Sequence, residues 1–344
     1  EQKKYISLLI SYYDRVIVLL KPKLNQILSL DEFKSWSNKI ELQINNKEYS
    51  DAITHLLEIH DAIIRSGYIE EFVRLSCLLL DGIQWQKIST TQTKNIPKFL
   101  SESITSIIDY GDNGATLKYL DLYEENIAGK NSEYILLLSL RTYFHWYNGE
   151  MLDAIKYGEE AQHLISKSGE SETWSARHRL HLAYRDSTIE ENINSAIDFF
   201  LSGYELDEIS TQSKFNEEIQ YPLYGNVGRC LHFLGRFDAA LNCYAKSVHL
   251  IQRSQGADEE LNKGYAFSWI SESLKASGSE EYLYFALYAH QSWKTVAPPL
   301  ANRLEASLAS LPSTPKNTSI RSTSSWDIER YCTDWCNRRV SKAR

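Results

Sequence analysis

Residues Tyr221–Ser254 read YPLYGNVGRCLHFLGRFDAALNCYAKSVHLIQRS, and their spacing predicts two short amphipathic helices joined by a tight turn. Tyr224, Val227, Gly228 and Leu231 fall along one helix face at steps of three and four, and Phe237, Ala240, Leu241, Tyr244 and Val248 stripe a second. Gly235 sits between them, where a chain reversal needs backbone freedom. The small Gly228 and Ala240 let the two backbones approach, while Tyr224, Leu231 and Tyr244 fill the space beside them.

That alternation of small and bulky residues resembles the helix–turn–helix unit of the tetratricopeptide repeat. Further segments fit the same template. Leu138–Ile165 turns at Gly149 and carries Ala154, Ile155, Ala161 and Leu164. In Trp174–Ile209, Leu180, Ala183 and Tyr184 precede a second helix with Ala196, Ile197, Phe200 and Gly203. Tyr265–Pro298 holds Ala286, Leu287, His290 and Trp293, with Pro298 as terminator. Nearer the start, Trp36 and Ile40 pair with Tyr49, Ala52, Ile53 and Leu56, and Leu100, Ile104 and Ile107 pair with Leu117, Leu120 and Tyr123 across Gly111–Gly114. Ala154 to Ala196 spans 42 residues, Ala196 to Ala240 spans 44 and Ala240 to Ala286 spans 46, all longer than the family's period of about 34. The excess is assigned to loops such as Asp207–Asn216 and Ser254–Asn262. A helix from Tyr68 to about Lys87 finds no partner in this register and reads as an insertion.

The expected fold is therefore all-α: a right-handed α-solenoid of tetratricopeptide-like helix pairs with extra capping helices. Residues 1–30 are read as an N-terminal capping helix and 31–309 as the repeat array. A flexible Ser/Thr/Pro linker is expected over 310–325, then a short basic helix or tail over 326–344. In that tail the cations outnumber the anions, which suits a solubilising end, docking on an acidic surface, including the protein's own, or weak nucleic-acid contact.

Bulk properties agree with this class. The chain has 344 residues, 43% of them apolar and 24% charged, with only 7 Pro and 15 Gly, which disfavours both disorder and a turn-rich β protein. A net charge of −8 makes nucleic acid an unlikely general partner. Five scattered cysteines without a CxxC pair suggest no disulfide framework and a reducing, cytoplasmic location. No apolar run is long enough for a membrane span, and no signal peptide is apparent. A helical start without an initiator Met suggests a chain excised from something longer.

In the resembled family the first helices of successive pairs line a concave groove. That resemblance nominates Tyr143, Trp146, Tyr147, His178, His181, Arg185, Asn226, Arg229, His232, Ser271, Glu272 and Lys275. Of these, Tyr143, Trp146, His181, Arg185, Asn226, Arg229, His232 and Lys275 are the candidate ligand- or peptide-binding residues. Asn pairs with peptide amides and guanidinium with carboxylates, so the expected partner is a protein or peptide, acidic or ending in a free carboxylate; homo-oligomerisation is compatible with this. The competing reading is that these are ordinary solvated or inter-helix residues.

His178 and His181 lack a third ligand at a telling spacing, and Cys332 and Cys336 suit plain packing better than zinc. No GxSxG, phosphate loop or GxGxxG occurs. No catalytic residue, metal or cofactor is expected, and the chain reads as a non-catalytic scaffold or adaptor. The alternatives are a ligand-sensing regulatory domain of a larger signalling protein and an enzyme without a recognisable motif.

Overall fold

The computed structural model describes residues 2–86, 95–168, 175–254, 259–311, 320 and 323–341. Every regular element among them is helical. The helices are α1 (Gln2–Leu20), α2 (Leu30–Asn45), α3 (Tyr49–Arg65), α4 (Ile69–Gly82), α5 (Ile96–Tyr110), α6 (Asn113–Asn126), α7 (Ser132–Tyr147), α8 (Met151–Ser168) and α9 (Ala176–Asp186). They continue as α10 (Glu190–Leu201), α11 (Leu206–Ser210), α12 (Tyr221–Phe233), α13 (Phe237–Ile251), α14 (Glu259–Ala276), α15 (Tyr282–Val296), α16 (Pro298–Ala309) and α17 (Ser325–Ser341).

Local chemistry sets the boundaries. Ser29 and Glu32 form a reciprocal capping box at the start of α2. Asp112 accepts from the Ala115 amide at 2.9 Å to cap α6. Gly111 ends α5 with φ +86°, a left-handed conformation that costs a glycine little. Pro222 occupies the first turn of α12, where a missing amide proton does no harm. Pro298 opens α16 as well as closing the preceding pair.

The chain forms two compact units. The first comprises 1–149 and 156–177, the second 150–155 and 178–344. In the first unit consecutive helices from α1 to α7 pack on one another, and α2 also packs on α4, α3 on α5 and α5 on α7. In the second, consecutive helices from α11 to α16 pack on one another, and α10 also packs on α12, α11 on α13 and α12 on α14. The first unit shows the period directly. Arg74 of α4 donates to Glu41 of α2 at 2.6 Å, 33 residues away. Tyr119 of α6 donates to Asp81 of α4 at 3.0 Å, 38 residues away. Tyr143 of α7 donates to Asp109 of α5 at 2.7 Å, 34 residues away.

Helix α4 is thus a regular member of the stack, packed against α2, α3 and α5, rather than the insertion expected from sequence. Its apolar stripe (Phe72, Val73, Leu75, Leu79 and Leu80) is buried. The sequence frame had paired α5 with α6 and so left α4 without a mate, although each helix of a continuous stack has two neighbours.

The second unit differs elsewhere too: the expected loop Ser254–Asn262 ends in the first turn of α14, which starts at Glu259. The expected loop Asp207–Asn216 contains part of α11, and Gly203 lies beyond the end of α10 with φ +97°. Helix α11 is tied to α13 by Lys246, whose buried ammonium donates to the Ile209 and Thr211 carbonyls at 2.8 Å each. The tail helix α17 is docked on α13 and α15. Arg339 donates to Asn242 at 2.6 Å and to Asp238 at 3.2 Å, and Trp335 meets Phe285 edge-on at 5.1 Å between ring centres. Cys332 and Cys336 are buried on this helix. Trp174, most of the linker 310–325, and the tail cations Lys316, Arg321, Lys342 and Arg344 lie outside the described residues. No described helix is long and apolar enough to cross a membrane.

Candidate functional site

The repeat geometry brings first-helix residues of the second unit side by side. Arg185 at the end of α9 donates to Asn226 Oδ1 of α12, 41 residues on. Arg229 of α12 reaches Glu272 Oε2 of α14 at 2.5 Å, 43 residues on. His232 of α12 meets the Ser273 hydroxyl of α14 at 2.7 Å, 41 residues on. These steps lie close to the long alanine spacings in the sequence, so the lengthened period is a structural repeat and positions α9, α12 and α14 in line.

Asp186 is the centre of this cluster. Its Oδ2 accepts from Arg185 Nη2 at 2.6 Å, and its Oδ1 lies 3.5 Å from Arg229 Nε. Trp269 of α14 provides the aromatic floor, 5.0 Å from the Arg185 guanidinium and 5.7 Å from that of Arg229. Phe233 stacks on Arg229 from the other side at 4.5 Å. Such cation–aromatic contacts strengthen when water is excluded. Arg185 is 2% exposed. Burial opposes the charge on Arg229, but Glu272 and Asp186 outweigh it and raise its pKa. Two arginines therefore face two carboxylates, and the cluster is charge-balanced.

The other nominated residues are placed as follows. His181 is buried and stacked on Phe199 of α10, with 4.0 Å between ring centres. Its neighbour His178 has its pKa pushed down to about 4, first by burial and then by Arg185 and Arg179. His232 is likewise held low by burial and by Arg229. Lys275 is exposed, with its ammonium 5.7 Å from the Tyr282 ring. Tyr143 and Trp146 belong to the first unit, where their rings lie 5.4 Å apart. The structure thus joins Arg185 to Asn226 directly and to Arg229 through Asp186, with His232 one turn further along α12.

Asp186 and Trp269 were missed from sequence. Trp269 was within reach: it lies 43 residues after Asn226, the same step that separates Arg229 from Glu272. Asp186 carried no such signal, because it ends its helix beside an arginine like many surface acids.

Among the described residues no group of three or more His, Cys, Asp or Glu side chains could hold a metal ion. A shallow cavity of about 410 Å³ lies where α17 meets the end of α13, lined by His249, Arg253, Asp334, Asn337 and Arg338 among others.

No family model matches this sequence, and no curated protein matches it. Among solved structures the chain is similar to BtubC (BKLC) from P. vanneervenii, with 14% identity and a TM-score of 0.39 over 72% of this chain and 94% of that one. A likeness this slight carries no argument about fold or function.

Proposed function

We propose that the protein is a non-catalytic, tetratricopeptide-like scaffold whose stacked helix pairs form a right-handed solenoid and hold a peptide partner along α9, α12 and α14. The observation that carries this reading is the alignment of Arg185 with Asn226 and of Arg229 with Glu272 across successive repeats. A row of polar side chains at the repeat step is the arrangement that can follow an extended peptide, with Trp269 and Phe233 supplying apolar area beside it.

The partner's carboxylate, on an acidic side chain or at a C-terminus, takes the place of Glu272. Arg185 is enclosed and held by Asp186, so it acts as a fixed support. Arg229 instead shares its outer nitrogen with Glu272, whose side chain is 45% exposed. Glu272 is the exposed end of that pair, and Arg229 keeps Asp186 as a second counter-charge, so Glu272 can swing away and leave the Arg229 fork for a bidentate carboxylate. Asn226, which accepts from Arg185, helps hold that support in place, and the exposed Lys275 on α14 is a further cation for an acidic partner.

The test is a peptide library with acidic positions and free C-terminal carboxylates, selected on the immobilised chain and measured by calorimetry. Glu272→Gln should tighten binding several-fold by removing the internal competitor, and Arg229→Met should abolish it. If the selected peptides bind both variants as they bind the parent chain, the cluster is purely structural and the reading fails.

A further inference from the structure

Helix α1 ends the first unit with an apolar face turned outward. Its inner side is fixed to α2: Lys39 Nζ donates to Asp14 at 2.5 Å, Asn38 donates to the Tyr13 hydroxyl at 3.2 Å, and Ile17 is buried. On the opposite side Tyr5 is 70% exposed, Leu8 60%, Leu9 44%, Tyr12 59% and Leu19 76%. These positions recur at three-, four- and seven-residue steps, so they form one continuous stripe along the helix. These side chains are exposed although they are large and apolar.

We propose that this stripe is a dimer interface, in which α1 of one copy packs antiparallel on α1 of a second about a two-fold axis at Tyr12. The area suits that occupant. The five side chains leave on the order of 600 Å² exposed, at the upper end of the largest patch on ordinary monomers. With the surrounding rim this approaches the roughly 800 Å² per partner of a stable interface.

The stripe is also self-complementary. About Tyr12, Tyr5 faces Leu19 of the second copy, Leu8 faces Val16, and Tyr12 faces its own equivalent. Arg15 falls opposite Leu9, over which its aliphatic stem can lie. A parallel pairing would instead set Arg15 against Arg15. Asp14 is taken up by Lys39 on the inner side, and Lys21 and Lys23 beyond the end of α1 are paired with Glu58 and Glu32. These cations are thus neutralised within the chain, which suits a second protein surface better than an anionic membrane, where unpaired basic flanks are the rule.

Sedimentation velocity over a concentration series tests this. The chain should pass from 39.7 kDa to twice that mass. Leu8→Glu and Tyr12→Glu should each weaken the association at least 100-fold, because each change is felt twice across the axis. Both should keep the parent's helical circular dichroism and melting temperature; if either does not, Tyr12→Ser takes its place. Tyr12→Cys should give a covalent dimer with a short bismaleimide where the parent chain gives none. A mass of 39.7 kDa at every concentration, a monomer that binds anionic vesicles, or a dimer that survives the substitutions would each overturn the proposal.

Discussion

Gly228 of α12 lies so close to the ring of Tyr244 on α13 that a β-carbon there would come within 2.7 Å of Tyr244 Cε1 and 3.0 Å of Cys243 Cβ. Both neighbours are fully buried, so the helix pair has no room to yield. Gly228→Ala should therefore destabilise the protein by about 1–3 kcal/mol despite its better helix propensity. Chemical denaturation should show a lower midpoint with an unchanged slope.

Asp186 and Glu272 both pair with arginine, but only Asp186 is enclosed, with 14% of its side chain exposed against 45% for Glu272. Asp186→Ala leaves two guanidiniums without their shared counter-charge and should cost about 3–5 kcal/mol. Glu272→Ala leaves Arg229 still paired with Asp186 and should cost less, about 1.5–3 kcal/mol. Equal losses in denaturant titrations would contradict the assignment of Asp186 as the support and Glu272 as the movable partner.

His178 gives the fold an acid-sensitive point. Its folded pKa of about 4 lies below the ordinary value of 6.5, so between those values the unfolded chain binds a proton that the folded chain refuses. Its contribution to stability is complete above pH 6.5 and is lost as pH falls toward 4. His178→Phe should flatten that part of the stability profile, measured as melting temperature against pH.

Lys246 works in the other direction. Burial pushes its pKa down to about 8 from 10.5, so its ammonium weakens the fold below pH 8 and the penalty is relieved as pH rises toward 10.5. The neutral amine still has two protons, enough for the Ile209 and Thr211 carbonyls. Lys246→Met should be less stable overall and should lose this rise in denaturation midpoint between pH 8 and 10.5.

The helix pairs were legible in the sequence because small and bulky apolar residues alternate at helical steps. Gly228 against Tyr244 and the buried Ala240 are the places where that pattern meets its packing. Helix α4 was misjudged because a regular stripe such as Phe72–Leu79 does not state which neighbour it packs on. Helix α11 was hidden because five residues are too few for periodicity and its anchor, Lys246, lies on another helix.

At the candidate site the family resemblance nominated Arg185, Asn226 and Arg229, and these three fall in one cluster around Asp186. Their charge state was not legible. Burial and the pairing with Asp186 are properties of the folded cluster, and they balance the charge of its arginines. His181 faced the same limit: its helix position was clear, but its stacking on Phe199 depends on how α9 and α10 pack.

The account rests on α9, α12 and α14 presenting one recognition face, and hydrogen exchange of the chain with and without a library-selected acidic peptide tests it most directly. Protection should rise over residues 178–186, 221–233 and 259–276 and vanish in Arg229→Met. Protection confined to α10, α13, α15 or α17, or unchanged in that variant, would contradict it.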